Sequence, residues 1–312
     1  MRALLKQNGN VSVQNIARPT IEKEDDIVIH IKLAGLCRTD VFVADGLIEG
    51  KDELVLGHEF AGVVTEAGTN NNGFKTGDRV TVMPVMPCGT CALCNSGKQD
   101  SCQNTTMLGI DYDGAFAEYI KVPANTVYAI PENVSFKQGA YSEPLAAAMS
   151  VLKSDIQPTQ KGFIYGQNRF SQLIARILKA RGFQDITIHD PNNGALDENS
   201  YDFGIETLAT TDAMEEIIKA IRPQGKVILK SRKHEPVGIP FHLAVQKEVT
   251  LQAVNYGDFT EAIDLLASED FDVDDLLGEI YDLEDFETVF ENSKTKETSK
   301  IFFKPGTDPC VD

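Results

Sequence analysis

Cysteine spacing is the feature of this 312-residue chain that most constrains what it can fold into. Four of its six cysteines fall in the run P-C-G-T-C-A-L-C-N-S-G-K-Q-D-S-C, at Cys88, Cys91, Cys94 and Cys102. Thiolates prefer a borderline-soft cation, and four sulfurs leave no coordination position for water or substrate. The run therefore predicts a closed, structural zinc site. A set of disulfides is the alternative, which a reducing compartment disfavours.

A second set of metal-ligand types is spread along the chain before this run. It consists of C-R-T-D at residues 37–40 and G-H-E at residues 57–59. These segments offer one thiolate, one imidazole and one or two carboxylates. That mixture is typical of a catalytic zinc that keeps one coordination position open. The sequence therefore predicts a second zinc ion with a different task from the first.

Charge and hydropathy exclude several classes of partner. The formal net charge is -18 and the sequence pI is about 4.7, so nucleic acid and anionic membranes are repelled. We find no apolar stretch long enough for a signal peptide or a membrane span, which predicts a cytoplasmic protein that acts on a small molecule. In that compartment closely spaced cysteines are more often metal ligands than bridges. Cys310 is left over and is expected to be a free thiol.

Hydrophobic periodicity divides the chain into two kinds of structure, and its length favours two domains. The first part reads as short strands separated by Gly, Asn and Pro, including residues 27–32, 62–66, 78–82 and 117–122. After Pro144 strands alternate with amphipathic helices; the predicted strands are 162–166, 186–190, 201–206 and 226–229. This alternation predicts a parallel sheet flanked by helices.

Several motifs together resemble the zinc-dependent medium-chain dehydrogenases/reductases, in the branch with sorbitol and threonine dehydrogenases. They are A-G-L-C-R-T-D, L-G-H-E-F-A-G-V-V, K-T-G-D-R-V-T-V, the cysteine run, D-G-A-F-A-E-Y, S-E-P-L-A and K-I-F-F-K-P. The resemblance implies an α/β protein with a GroES-like β-rich catalytic domain over 1–147 and 256–312. It implies a Rossmann-like parallel-sheet domain over 148–255, here trimmed. Relatives are usually homodimers or homotetramers, so we expect the same of this chain.

The resemblance also assigns roles at the second metal site. It implies that Cys37 and His58 bind the catalytic zinc, with Glu143 as third ligand and Glu59 close behind the metal. The two glutamates are expected to alternate as ligands. One thiolate, a neutral imidazole and a carboxylate keep the ion electrophilic enough to polarise an alcohol or carbonyl oxygen.

Three neighbouring residues receive catalytic or cofactor roles from the same resemblance. Asp40 is expected to accept the other ring N–H of His58 and fix its tautomer. Thr39 is expected to lie against the substrate hydroxyl as the first member of a proton relay. Arg38 corresponds to a residue that contacts the cofactor pyrophosphate, although an ordinary surface arginine is an equal alternative. Lys300 is a weaker candidate for the same electrostatic role.

The dinucleotide-binding motif G-x-G-x-x-G is only partly present in this chain. The segment G-Q-N-R-F-S at 166–171 keeps Gly166 but has Asn168 and Ser171 in place of the other two glycines. The helix N-terminus survives, and either residue can cap it and still permit anion binding. Asp190 stands where a carboxylate takes the ribose hydroxyls of NAD and repels the extra phosphate of NADP. Its alternative role is to start a turn before Pro191. We expect NAD to bind weakly.

The next segment is too short for a complete Rossmann half. Only ten residues, P-N-N-G-A-L-D-E-N-S, separate Asp190 from Tyr201. Extended, they reach roughly 33 Å, enough to return along one strand and step over a neighbour but not enough for a helical crossover and a strand. The sheet is therefore predicted to lack one strand, which leaves the adenine of the cofactor poorly covered.

A basic run, K-S-R-K-H at 230–234, follows the strand predicted at 226–229. Strand carboxyl ends face the ligand crevice in open α/β sheets, so this run is a candidate contact for an anionic group on substrate or cofactor. An exposed loop is the alternative.

Two functions are compatible with these features. The first is a zinc-dependent oxidoreductase that transfers a hydride between a secondary alcohol, polyol or sugar-like substrate and NAD(H). The second is a zinc protein of the same fold that has lost dinucleotide use, as a non-redox lyase or isomerase or a binding protein. The intact zinc motifs favour the first function, and the incomplete dinucleotide-binding motif favours the second.

Overall fold

The computed structural model of the chain describes residues 1–233, 235–294 and 299–306. Two compact units are present: Met1–Glu143 together with the chain from Leu277 onward, and Pro144–Leu276. His234 of the basic run and Cys310 lie outside the described residues. Within the described residues, no helix has the length and apolar character needed to cross a bilayer.

The first unit is built mainly of short strands. Its strands before the second unit are β1 Arg2–Gln7, β2 Asn10–Asn15, β3 Asp26–Gly35, β4 Leu54–Val55, β5 Glu59–Ala67, β6 Arg79–Val82, β7 Val85–Met86, β8 Thr106–Met107, β9 Tyr119–Pro123 and β10 Val127–Ala129. Its helices there are α1 Arg38–Ala44, α2 Ala92–Asn95 and α3 Phe136–Ala140. Helix α4, Ser142–Met149, carries the chain into the second unit.

The second unit alternates strands and helices, as the periodicity predicts. The strands are β11 Gly162–Tyr165, β12 Ile186–His189, β13 Tyr201–Glu206, β14 Ile221–Leu229 and β15 Thr250–Ala253. The helices are α5 Arg169–Ala180, α6 Thr211–Ala220, α7 Phe241–Gln246 and α8 Phe259–Leu266. The chain then returns to the first unit through β16 Leu277–Asp282, α9 Phe286–Ser293 and β17 Lys300–Lys304.

The main sheet of the first unit positions the second metal-ligand set. Its order is β10-β6-β5-β3-β17-β16, with β9 also paired to β3. In β3, Ile27, Ile29 and Ile31 alternate along the strand and are buried in one core. At the end of β3, Gly35 lies opposite Glu59 on one neighbouring strand and Phe302 on the other.

The sheet of the second unit confirms the predicted trimming. Its order is β12-β11-β13-β14-β15, and every pair is parallel. The dinucleotide-binding order is 3-2-1-4-5-6. The observed strands match positions 2, 1, 4, 5 and 6, so the strand that is missing is the third. Helix α5 buries one apolar stripe, formed by Leu173, Ile174, Ile177 and Leu178.

The connection from β12 to β13 crosses the sheet without an α-helix, and Glu216 of α6 holds it in place. The Leu196 N–H donates to Glu216 Oε1 at 3.0 Å, and the Tyr165 hydroxyl donates to Oε2 at 2.6 Å. His189 Nε2 lies 3.1 Å from the same carboxylate. Leu196 also packs against the core of this unit. One carboxylate thus joins the ends of two strands to the segment that replaces a strand and its helices.

Replacing Glu216 with alanine is expected to loosen this crossing segment. The Tyr165 hydroxyl loses its acceptor, which costs about 1–3 kcal/mol of stability. We expect a lower melting temperature and faster hydrogen exchange at the Leu196 amide. Glu215→Ala is the matched control, because Glu215 forms an exposed pair with Lys219 on the same helix. Equal Leu196 exchange in both variants would show that Glu216 does not hold the segment.

Candidate metal and cofactor sites

The four sulfurs of the cysteine run converge in the first unit. The Sγ atoms of Cys88, Cys91, Cys94 and Cys102 all lie within 4.8 Å of one another, and none of these cysteines forms a disulfide. The separations are 3.9 Å for Cys88–Cys94, 3.9 Å for Cys91–Cys102 and 3.5 Å for Cys88–Cys102. A tetrahedron with Zn–S bonds of about 2.3 Å requires S···S separations of roughly 3.8 Å. The cluster therefore fits a structural zinc ion.

Backbone amides of the loop point at these sulfurs. Cys91 is the N-cap of α2 and its sulfur accepts the Cys94 N–H, while the Cys91 N–H donates to the Cys88 sulfur at 3.4 Å. Hydrogen bonds from the backbone N–H groups of Thr90 and Cys91 lower the pKa of the Cys88 thiol to about 6. Burial raises the pKa of the Cys94 thiol to about 12. The backbone amides thus favour a negative sulfur at Cys88, whereas a negative sulfur at Cys94 needs a cation beside it, such as a bound metal ion.

The second ligand set also converges, through three residues. A ligand nitrogen of His58, the Cys37 sulfur and a carboxylate oxygen of Glu59 lie within 4.8 Å of one another. Cys37 is the N-cap of α1 and Glu59 begins β5, so the start of a helix and the start of a strand bring them together. His58 and Glu59 are each 1% exposed. The structure therefore groups three of the four residues that the resemblance implies as ligands.

Asp40 fixes the geometry of this group. Its Oδ1 lies 2.8 Å from His58 Nδ1, and its Oδ2 accepts the Cys37 N–H at 2.9 Å. Since Nδ1 is engaged, Nε2 is the ring nitrogen left for a metal. It is buried and has no hydrogen-bond partner among the described residues. A buried ring nitrogen left in this way, beside a thiol and a carboxylate, fits a zinc ligand.

Charges in the group perturb the titration of its members. Burial disfavours the charged imidazole, but the negative charges of Asp40 and Cys37 and their hydrogen bonds hold the pKa of His58 well above its usual range. Burial raises the pKa of the Glu59 carboxyl, the Lys300 ammonium opposes that shift, and the charge of Glu143 adds to it. Uptake of a metal must displace such protons, which couples metal binding to pH.

Glu59 forms a buried ion pair that the sequence did not reveal. The Lys300 ammonium contacts Glu59 Oε2, and Lys300 is 2% exposed. This pairing gives Lys300 a buried acidic partner, and its contact with the cofactor pyrophosphate stays a prediction. Gly35 makes the pair possible, because a Cβ there would lie 2.7 Å from both Glu59 Oε2 and Lys300 Cε. A buried pair of this kind needs close geometry to offset its desolvation.

Three other residues were assigned to the catalytic centre or its cofactor, and they differ in their distance from the ligand group and in their exposure. The Thr39 hydroxyl is 3.7 Å from the Cys37 sulfur, and Arg38 is exposed at the start of α1. Glu143 is buried in the first turn of α4, outside the group of atoms within 4.8 Å. Its charge nonetheless reaches Glu59.

In the second unit, the side chains that replace two glycines of the 166–171 loop form hydrogen bonds within that loop and to Thr207. Gly166 has φ of +108°, and a Cβ there would lie 2.8 Å from Thr207 Oγ1. Asn168 is the N-cap of α5: its Oδ1 accepts the Ser171 N–H at 2.9 Å and its Nδ2 donates to Thr207 Oγ1 at 3.0 Å. The buried Ser171 hydroxyl donates to the Gly166 carbonyl at 2.5 Å. The loop keeps its turn and its helix N-terminus, but side chains now occupy space that glycines leave open.

Asp190 directly follows β12, and its carboxylate is engaged by the turn that it starts. Oδ1 accepts the Asn192 N–H and the Asn192 side-chain amide, both at 2.9 Å, and Oδ2 accepts from Asn193 at 3.3 Å. Asp190 also caps the short 3₁₀ turn at residues 191–193, with Pro191 in its first position. These are the contacts of a turn-starting aspartate, so a ribose must share or replace them.

The basic run begins at a buried, hydrogen-bonded lysine and continues into the exposed residues Arg232 and Lys233. Glu206, at the end of β13 and 1% exposed, accepts the N–H groups of Lys230 and Ser231 and the Ser231 hydroxyl. Lys230 Nζ donates to the Asn255 carbonyl at 2.6 Å, and Lys230 is 6% exposed. Arg232 donates to Asn255 Oδ1 at 2.6 Å. Neither Glu206 nor Asn255 was singled out from the sequence, because their partners lie on other strands.

Comparisons with known proteins find similarity to alcohol and polyol dehydrogenases. Residues 23–132 match the alcohol dehydrogenase GroES-like domain. The chain is 27% identical to probable D-xylulose reductase A of Aspergillus clavatus over 88% of each chain. It is 28% identical to an uncharacterized zinc-type alcohol dehydrogenase-like protein, YdjJ of Escherichia coli K12, over 94% of each. In fold it matches a zinc-binding dehydrogenase of Sinorhizobium meliloti bound to NADP, with a TM-score of 0.89, 24% identity, and coverage of 97% of this chain and 99% of that one.

The domain match, the relatives over most of their length and the shared fold agree on one family. Residues 23–132 form the GroES-like domain of alcohol dehydrogenases, and the matches over most of the chain support the resemblance to the zinc-dependent medium-chain dehydrogenases/reductases. The second unit is a Rossmann-like sheet without the third strand.

A methyl group at residue 35 is expected to disrupt the candidate catalytic centre. In Gly35→Ala the added Cβ must push apart Glu59 and Lys300, which overpacks a buried site and costs about 1–3 kcal/mol. We expect a lower melting temperature together with a loss of activity. Gly9→Ala is the control for activity: its Cβ meets nothing within 4 Å, and the strain at its φ of +76° affects only a turn that lies between β1 and β2. If Gly35→Ala were as active as Gly9→Ala, Glu59 and Lys300 would not need their observed arrangement.

Proposed function

We propose that this protein is a zinc-dependent oxidoreductase that transfers a hydride between an alcohol or polyol and a nicotinamide dinucleotide. The observation that carries the proposal is the buried group of Cys37, His58 and Glu59, in which Asp40 leaves the Nε2 of His58 for a metal. The relatives named above are a xylulose reductase and a zinc-type alcohol dehydrogenase-like protein, and the related fold from Sinorhizobium binds NADP. These names support a small-molecule substrate and a nucleotide cofactor.

Cys37 and His58 would hold the catalytic zinc, with Glu59 and Glu143 as the candidate carboxylate ligands. A zinc ion bound there supplies a Lewis acid for an alcohol or carbonyl oxygen. Asp40 keeps the imidazole in one tautomer and orientation, and its second oxygen holds the backbone of Cys37. Thr39, whose hydroxyl lies beside the Cys37 sulfur, is the residue proposed to receive or return the substrate hydroxyl proton.

Lys300 gives Glu59 a second partner besides a metal. The buried ammonium holds the Glu59 carboxylate and competes for it with a metal bound beside the Cys37 sulfur and the His58 ring. This competition supports the proposed alternation, in which Glu59 and Glu143 exchange as ligands. The ammonium also offsets part of the negative charge that the thiolate and two carboxylates would otherwise concentrate in one buried site.

The cofactor is proposed to lie over the N-terminus of α5 at the carboxyl edge of the second unit's sheet. Gly166 keeps the tight turn, and α5 still presents its first backbone N–H groups to a pyrophosphate. Asn168 and Ser171 reduce the close approach that glycines permit, and the missing third strand removes cover beside the adenine. Asp190 is the candidate ribose contact, and Arg38 is proposed to meet the pyrophosphate.

We further propose a homodimer or homotetramer, as in relatives.

The two ligand sets are expected to bind zinc independently. Elemental analysis of the purified protein should find close to two zinc ions per chain. Cys37→Ser should retain the structural zinc and the fold but lose turnover, because it removes a ligand of the open site. Cys94→Ser should lower the melting temperature, since a closed structural site contributes directly to folding. Full zinc content in Cys94→Ser would contradict the assignment of the four-cysteine loop.

Binding of the dinucleotide is expected to be measurable but weak. Calorimetric titration should detect NADH, with NADPH weaker because a phosphate beside the Asp190 carboxylate brings like charges together. Asp190→Ala should remove this preference. Tighter binding of NADPH than of NADH would show that Asp190 does not contact the ribose. No binding of NAD(H) at millimolar concentration, in protein with both zinc ions, would favour the non-redox function of this fold.

A further inference from the structure

Lys230 projects into the carboxyl edge of the second unit's sheet. It directly follows β14, and its Nζ donates to the carbonyl of Asn255, two residues beyond β15. The same ammonium lies 5.7 Å from the ring centroid of Phe170, in the first turn of α5. It therefore reaches from the end of β15 towards the helix N-terminus at which a dinucleotide is expected. Lys230 is 6% exposed, so its charge acts in a partly dry environment.

Strand order decides which half of a dinucleotide this ammonium can meet. Asp190, the candidate ribose contact, follows β12 at one edge of the sheet, and Lys230 follows β14. Three strand spacings separate those positions, which is about 14 Å. A dinucleotide lies across the carboxyl ends of the strands with its pyrophosphate at the first helix. Since the adenosine takes the Asp190 side, the nicotinamide takes the side of β13, β14 and β15, where Lys230 lies.

We propose that the Lys230 ammonium faces the nicotinamide and makes the site discriminate against NAD⁺ in favour of NADH. This inference rests on the proposed use of a dinucleotide. The oxidised nicotinamide ring carries a positive charge and the reduced ring does not, while the rest of the cofactor is identical. A fixed cation beside the ring therefore repels only the oxidised form.

The named side chains around Lys230 are one carboxylate and a second cation. Glu206 is the buried acid of this region, and its oxygens accept two backbone N–H groups and the Ser231 hydroxyl. Arg232 adds a second cation, which is bound to Asn255 Oδ1 and stacked over Tyr256 with 5.1 Å to the ring centroid. Two cations thus surround Asn255 and one carboxylate supports the loop. Hydrogen bonds to Asn255 and the contact with Tyr256 hold the Lys230 and Arg232 side chains in place.

This discrimination affects how fast the enzyme works in each direction and leaves the equilibrium of the reaction unchanged. In carbonyl reduction, C4 of NADH gives its hydride to the carbonyl carbon, a proton reaches the oxygen, and the products are an alcohol and NAD⁺. The nicotinamide gains its positive charge next to Lys230, which weakens the hold on the oxidised product and favours its release. Alcohol oxidation must instead begin by binding the disfavoured form. The site is therefore suited to a reductase that works with NADH.

The test compares three ligands on the zinc-loaded protein by calorimetric titration: NADH, NAD⁺ and ADP-ribose, which lacks the nicotinamide. Wild-type protein should bind NADH about tenfold or more tighter than NAD⁺. Lys230→Gln keeps a donor for the Asn255 carbonyl but removes the charge. It should tighten NAD⁺ binding about tenfold and leave NADH and ADP-ribose nearly unchanged. Lys230→Arg should preserve the wild-type ratio.

The control is Lys219→Gln, which removes an exposed lysine in the last turn of α6 that pairs with Glu215. It should leave all three affinities as they are. Equal weakening of all three ligands in Lys230→Gln would show that the lysine binds the pyrophosphate and would overturn the inference. An unchanged NADH to NAD⁺ ratio would overturn it as well. Binding of ADP-ribose without either nicotinamide form would show that Lys230 blocks the ring. Failure of all three ligands to bind wild-type protein would instead refute the proposed function itself.

Discussion

The carboxylate of Asp40 is the contact on which the candidate catalytic centre depends. One of its oxygens holds the N-terminus of α1 through the Cys37 N–H, and the other meets the ring of His58, which precedes β5. A short helix and a long strand are thereby joined at the point where both present a ligand. Without this bridge the thiol and the imidazole would have no common orientation. The carboxylate is 1% exposed, so water does not compete for it.

The same centre shows how a sheet can place charged groups in its interior. Strand β3 lies between β5 and β17, and its last residue is Gly35. Because Gly35 has no side chain, Glu59 of β5 and Lys300 of β17 can meet beside it. Each charge alone would be costly to bury, and together they offset that cost. The pair is therefore a property of three adjacent strands rather than of any one motif. It also gives the buried glutamate a choice of partners.

Sequence reasoning reached the parts of this structure that local patterns encode. The cysteine run, the pairing of Asp40 with His58 and the missing strand after Asp190 all follow from spacing or motif, and the structure has each of them. The ion pair between Lys300 and Glu59 was missed because it depends on Gly35 in a strand that is distant in sequence from both residues. Glu206 and Glu216 were missed for the same reason, since their partners are brought together only by the parallel sheet.

Loss of the third strand has a further consequence for β12, which now ends the sheet beside β11. An edge strand offers its outward backbone groups as a template on which other chains can add, and long flat edges promote aggregation. This strand has only four residues, Ile186–His189, and it is followed at once by Asp190 and Pro191. Proline cannot donate to a ladder, and the turn bends the backbone out of register. The shortness of β12 and the turn that follows it thus protect this one edge of the sheet against the addition of strands from other chains.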